Sequence, residues 1–147
     1  MSGEPTLSRE QLLAIYRQAR AEFPRECCGY VRGEDVVPCR NRQDQLHALD
    51  PETHPRTGEN GYNIGGKELL DLVRSFESEL PVRIIYHSHP RVGAYFSEED
   101  TRAAVGAGYP VDYLVVDVQD DEVREAKLFR QDGEGFVEIE RFDGAKV

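Results

Sequence analysis

An α/β domain with a mixed sheet flanked by helices is the fold class that the sequence predicts. Three observations carry it. Segments with apolar residues at helical spacing alternate with short β-branched and aromatic runs, in the order helix, hairpin, helix, strand, helix, three strands. The 147 residues match the length of one domain, and no repeat, low-complexity tract or linker divides residues 1–147. A hydrophobic content of 39% against 31% charged residues suits a small, well-solvated fold around one core.

The first helix carries a full set of start signals. Ser8 is placed to cap the amide of Gln11, Gln11 to reach back, and Leu7 to staple onto Leu12. Leu12, Tyr16, Ala19 and Phe23 then recur at helical spacing until Pro24 ends the helix. Cys27 to Arg32 reads as a strand, Gly33-Glu34-Asp35 as a turn and Val36 to Arg40 as the returning strand. Residues 41–61 hold Pro51, Pro55, Gly58 and Gly61 with little periodicity, so a long loop is expected, functional or mobile. Tyr62-Asn63-Ile64 is expected as a short strand leading into a helix from Gly66 to Glu79, with Leu69, Val73, Phe76 and Leu80 as its apolar stripe. Val82 to His89 is a β-branched run ended by Pro90 and reads as an inner strand. Ser97 to Ala107 reads as a helix, Val111 to Val118 as a buried strand, and Val123–Arg130 and Phe136–Phe142 as strands joined near Gly133–Gly135.

Charge and cysteine usage exclude several classes. With 28 acidic against 18 basic side chains and a net charge of −10, the chain lacks the cationic footprint of a nucleic-acid binder or of a protein drawn to anionic membranes. The apolar stretches are about four residues long, too short for a membrane span, and the N-terminus does not read as a signal peptide. Cys27, Cys28 and Cys39 are odd in number and form no C-x-x-C pair, so a reducing cytoplasm is expected.

His87-Ser88-His89 sits at the end of the inner strand. Side chains at i and i+2 share a face, so two imidazoles converge there. Asp100 follows His89 by eleven residues, after a loop long enough to fold back over the strand end. Two imidazoles and a carboxylate make a three-ligand zinc set that leaves a fourth position open. His47 and His54 are alternative ligands from the irregular loop. Glu26 falls where the first helix meets the inner part of the sheet and is the candidate general base. Ser97 is the candidate donor to an oxyanion, a role worth roughly 3–4 kcal/mol in a transition state.

Each residue also has a plainer reading. Ser97 and Asp100 form an S-x-x-D capping box, compatible with a ligand role for Asp100; His87 alone would suit a core histidine, and Glu26 an exposed turn. Cys27 or Cys28 beside a histidine would give a cysteine hydrolase, although free cysteines on an inner strand are usually core.

Glu26, His87-Ser88-His89-Pro90, six intervening residues and Ser97-Glu98-Glu99-Asp100 together resemble the JAMM motif of the MPN+ metalloproteases, a distant Glu followed by H-[ST]-H-P-x6-S-x-x-D. Composition alone gives the H-x-H-x7-S-x-x-D spacing a chance expectation of roughly 3 in 10,000. The E-C-C-G context of Glu26 is similar to that of small prokaryotic members, among them enzymes that trim ubiquitin-like sulfur-carrier proteins. The resemblance implies a cytidine-deaminase-like fold, one Zn2+ per chain on His87, His89 and Asp100, Glu26 as general base and Ser97 as oxyanion support. It further implies a zinc-dependent metallopeptidase or isopeptidase acting after the C-terminal Gly-Gly of a ubiquitin-like, sulfur-carrier partner in extended or conjugated form. The deaminases themselves are excluded, because their H-x-E and P-C-x-x-C signatures are absent. Only residues 41–61 offer room for the insertions with which eukaryotic members grip ubiquitin chains, which argues against chain selectivity. Tyr62, Asn63 and Ile64 are the expected substrate-binding residues, pairing with an extended tail; an edge strand that merely completes the sheet is the alternative. A non-catalytic MPN-type scaffold or carrier-binding module remains the alternative function.

Overall fold

The computed structural model describes residues 6–147; the first residues of the stretch read as lacking a signal peptide lie outside them. Helix α1 (Arg9–Glu22) starts as its sequence dictates. Gln11 N donates to Ser8 Oγ at 3.1 Å and Ser8 N donates to Gln11 Oε1 at 2.8 Å, while Leu7 and Leu12 join the same core cluster. Leu12, Ile15, Tyr16 and Ala19 form the buried face.

Strands β1 (Cys28–Arg32) and β2 (Asp35–Cys39) form a hairpin whose turn uses Gly33 at a φ of 60°, a conformation that costs glycine nothing. Residues 41–61 are not a plain loop, because they contain helix α2 (Gln43–Leu49). Tyr62-Asn63-Ile64 is not a strand either. The backbone groups of Asn63 are taken by the residues just before α2: Asn63 O accepts from Arg42 N at 2.9 Å, and Asn63 N donates to Asn41 Oδ1 at 3.1 Å. Helix α3 (Gly66–Ser75) is shorter than expected and is rotated relative to the predicted stripe. Leu72 is its buried apolar residue, with Leu69 and Phe76 packed at the cluster's edge, while Val73 and Leu80 are exposed.

Strand β3 (Val82–Pro90), helix α4 (Glu98–Ala107) and strand β4 (Asp112–Val118) make a βαβ unit, followed by β5 (Val123–Asp132) and β6 (Gly135–Ala145). The sheet order is β2-β1-β3-β4-β5-β6; β3 and β4 are parallel and every other neighbouring pair is antiparallel. Alternation along β3 and β4 sorts two cores. Ile84, Tyr86, Leu114, Val116 and Val118 meet α1 on one face, whereas Ile85 and Tyr113 join Leu72 of α3 and Ala104 of α4 on the other. Gly29 is required where β1 passes Tyr86, because any Cβ there would collide with the tyrosine ring, whose hydroxyl donates to Gln18 Oε1. Crossing from β3 to a parallel neighbour places the start of α4 near the carboxyl end of β3, where open α/β sheets carry their sites.

Candidate metal centre and active site

His87 and His89 lie at the carboxyl end of β3, fully buried and 4% exposed respectively. Their period-2 spacing turns both rings to the face that also carries Ile85, away from α1. Asp100 comes from α4. Ser97 caps that helix, accepting from Asp100 N at 3.0 Å, and the Asp100 carboxylate reaches back to Ser97 N at 3.1 Å. The same oxygen, Oδ2, sits 3.2 Å from His87 Nε2 and 3.2 Å from His89 Nε2, and the two Nε2 atoms are 3.1 Å apart. The capping box is therefore what delivers the carboxylate to the imidazoles, and the two readings of Ser97 and Asp100 are one arrangement.

Three donor atoms at that spacing fit one small cation. A tetrahedral ion with ligands at roughly 2.0–2.1 Å has edges of roughly 3.3–3.4 Å, close to the separations found. Glu26 is 5% exposed and offers a further carboxylate oxygen; one ligand atom each from Glu26, His87 and His89 lie within 4.8 Å of one another. The Asp100 oxygen lies 3.2 Å from each Nε2, so both carboxylates are within reach of an ion held by the two imidazoles.

The surroundings fix the rings. His89 Nδ1 is 3.1 Å from the Gly93 carbonyl, a contact that directs Nε2 inward when Nδ1 carries the proton. Tyr62 stacks on His87 with centroids 4.4 Å apart and planes at 19°, and Tyr95 meets the His89 ring edge-on at 4.9 Å. His87 Nδ1 is buried without a hydrogen-bond partner among the described residues, so the Tyr62 stack and the contacts of Nε2 hold this ring.

Charges are tuned against one another. Burial would raise the Asp100 pKa, but the two imidazoles hold its carboxyl well below the usual carboxylate range. Burial opposes charge on His87, yet Asp100 and then Glu26 prevail and raise its pKa. Glu26 is raised, chiefly by burial, against the pull of His87 and His89. A carboxylate with raised proton affinity beside a cluster of nitrogen and oxygen donors is suited to taking up and returning a proton.

Glu26 is positioned by residues with little sequence signal. Ser88, buried between the histidines, accepts from Cys27 N at 2.7 Å, and Ser88 N donates to Cys27 O at 3.1 Å. Asn41 Nδ2 donates to Glu26 O at 2.9 Å and to Gly61 O at 3.0 Å, tying the strand entry to the Tyr62 segment. Asn41 was not singled out from sequence; an asparagine just before a short, weakly patterned helix offers no motif. His47 and His54 do not enter the donor cluster; His47 Nδ1 faces the His54 carbonyl at 2.9 Å. Cys27, Cys28 and Cys39 are buried, and burial pushes Cys27 and Cys39 up to about 12 and Cys28 higher still, which removes the thiolate a cysteine hydrolase needs. A cavity of about 760 Å³ opens beside the cluster, lined by Glu26, His89, Ser97 and Asp100, and also by Tyr62, Asn63 and Ile64.

The family model described as prokaryotic homologs of the JAB domain matches residues 8–129, a span that contains Glu26, His87, His89, Ser97 and Asp100. The chain belongs to this family. The JAB-family chain is 29% identical over 119 residues to a protein named CysO-cysteine peptidase in Mycobacterium bovis, covering 80% of this chain and 75% of that one. The protein of the same name in Mycobacterium tuberculosis matches with the same figures. The fold resembles the solution structure of a Desulfitobacterium hafniense protein, with a TM-score of 0.62 and 24% identity, covering 91% of this chain and 88% of the other. It also resembles that of a Salinibacter ruber protein, at a TM-score of 0.55 and 18% identity, covering 92% and 89%. These two likenesses speak to the fold alone.

Proposed function

We propose that this JAB-family protein is a zinc-dependent metallopeptidase or isopeptidase. Its substrate is the amide that follows the C-terminal Gly-Gly tail of a ubiquitin-like protein, a sulfur carrier in extended or conjugated form. Hydrolysis releases an amino acid, a peptide or an amine. The observation that carries the reading is the meeting of His87 Nε2, His89 Nε2 and Asp100 Oδ2 within 3.2 Å, with buried Glu26 beside them. The relatives named as CysO-cysteine peptidases support the choice of a sulfur-carrier substrate.

His87, His89 and Asp100 would hold one Zn2+ per chain, which when bound would supply Lewis acidity toward the scissile carbonyl and the attacking water. Glu26 takes the proton of the attacking water as its oxygen bonds to the carbonyl carbon. The same carboxyl then returns a proton to the leaving nitrogen as the C–N bond breaks. Ser97 Oγ accepts from Asp100 N, and its own O–H is left to donate to the developing oxyanion. Tyr62, Asn63 and Ile64 line the cavity and form the wall against which the extended tail lies. The buried free cysteines accord with a reducing, cytoplasmic setting.

The test uses the zinc-loaded protein and a ubiquitin-like carrier extended by one cysteine after Gly-Gly, with the mass of the carrier as readout. Wild type trims the extension, and Glu26→Gln is slower by at least about 100-fold. Cleavage by Glu26→Gln at the wild-type rate removes Glu26 from its role; an intact carrier after incubation with wild type overturns the peptidase reading.

A further inference from the structure

The cavity of about 760 Å³ runs past the donor cluster onto the segment between α2 and α3, where Thr53 to Ile64 supply much of its wall. Its charges are lopsided. Glu26, Glu59, Glu99 and Asp100 line it, in a protein of net charge −10. Among the described lining residues, Arg56 is the sole arginine or lysine. Arg56 is thus the one permanently charged cation that the described lining side chains offer an anionic group, with the imidazoles of His54 and His89 as the other basic groups there.

Arg56 is held in place and still has donors to spend. Its carbonyl accepts from Gln43 Nε2 at 3.0 Å, and Gln43 is a buried polar residue of α2. Its Nη1 donates to Asn60 O at 2.8 Å, and Asn60 is itself tied to Thr57 N through Oδ1 at 2.9 Å. Among the described residues no carboxylate forms an ion pair with Arg56. A guanidinium carries five N–H donors in a planar fork, so the contact to Asn60 leaves the rest for a ligand.

We infer that Arg56 is a specificity residue that receives the free α-carboxylate of the amino acid being released. This rests on the peptidase reading above and deepens it. The α-carboxylate of a terminal residue lies two bonds beyond the scissile nitrogen. Its receptor must therefore share a cavity with the group that protonates that nitrogen, as Arg56 does with Glu26. A lysine ε-amine or an internal peptide bond brings no carboxylate to that place and gains nothing from the arginine. Arg56 stays protonated throughout; water adds to the carbonyl carbon, the C–N bond breaks, and Glu26 alone moves the proton.

Two dansylated peptides ending in Gly-Gly-Ala test this, one with a free carboxylate and one with a carboxamide. Zinc-loaded wild type should favour the acid in kcat/KM by about tenfold or more, despite the net negative charge of the protein. Arg56→Ala should lower kcat/KM for the acid at least about tenfold more than for the amide, collapsing the preference, and Arg56→Lys should restore part of it. In the Glu26→Gln protein, fluorescence anisotropy should show the same acid-over-amide preference in Kd, lost on adding Arg56→Ala. Equal use of acid and amide by wild type overturns the assignment of Arg56 and leaves the peptidase reading standing, as does a preference that survives Arg56→Ala. Cleavage of neither peptide, with the cysteine-extended carrier still trimmed equally by wild type and Arg56→Ala, overturns the assignment of Arg56 alone; an intact carrier overturns both.

Discussion

Ser88 stands between the two histidines and points away from them. Its hydroxyl and amide both bind the backbone of Cys27, the residue after Glu26, so the motif's middle position couples Glu26 to the imidazoles. Ser88→Ala leaves the Cys27 amide without that acceptor at a site of no exposure. A loss of about 1–3 kcal/mol in denaturant unfolding is expected, together with slower turnover; unchanged stability would show that Cys27 N finds another acceptor. The thiols give a second prediction at this scale. Because burial pushes Cys27 and Cys39 up to about 12, iodoacetamide should leave the native protein unmodified and active. Rapid alkylation with loss of activity would restore the cysteine-hydrolase reading.

At the scale of elements, α4 is the lever. Its first turn is locked by reciprocal bonds between Ser97 and Asp100, and Asp100 Oδ2 serves the cap and the imidazoles together. Ser97→Ala should cost about 1 kcal/mol of stability as a lost cap and also weaken zinc retention, whereas Ser97→Thr should preserve most of both. Thermal melts and metal titration read the two effects separately. Elements with strong local signals were legible in the sequence: both capping boxes, the β-branched β3 and the turns at Gly33 and Gly133. Helix α2 was not, because Gln43 is its buried residue and Leu49 is exposed, so it has no apolar stripe to read. On α3, Leu69, Leu70, Leu72 and Val73 crowd adjacent positions; only packing against β3 and α4 selects Leu72 over Val73. Tyr62-Asn63-Ile64 has strand-like composition, but Asn41 and Arg42 take its backbone bonds, a tertiary contact that no local pattern encodes. The meeting of His87, His89 and Asp100 was legible because i,i+2 alternation and a helix cap are local rules. Asn41 was not, because its partners Glu26 and Gly61 lie far from it along the chain.

Across the whole molecule, the sheet separates two tasks. The face under α1 is a dry core from Leu7 to Phe142, and the opposite face opens at the end of β3 into the cavity with its four carboxylates and single arginine. Among the described residues no helix is long and apolar enough to cross a membrane. The proposed ligand set is drawn from β3 and α4, so a bound ion would tie the two elements and should stabilise the whole fold. At a thousandfold excess over Kd the expected gain is about 4 kcal/mol, and a chelator should lower Tm accordingly. The measurement that decides the account is zinc per chain in protein purified without added metal, for wild type and Asp100→Ala. About one equivalent in wild type with a clear loss in the variant is the expected result; wild type without zinc even after reconstitution would contradict the metallopeptidase account and favour a non-catalytic scaffold.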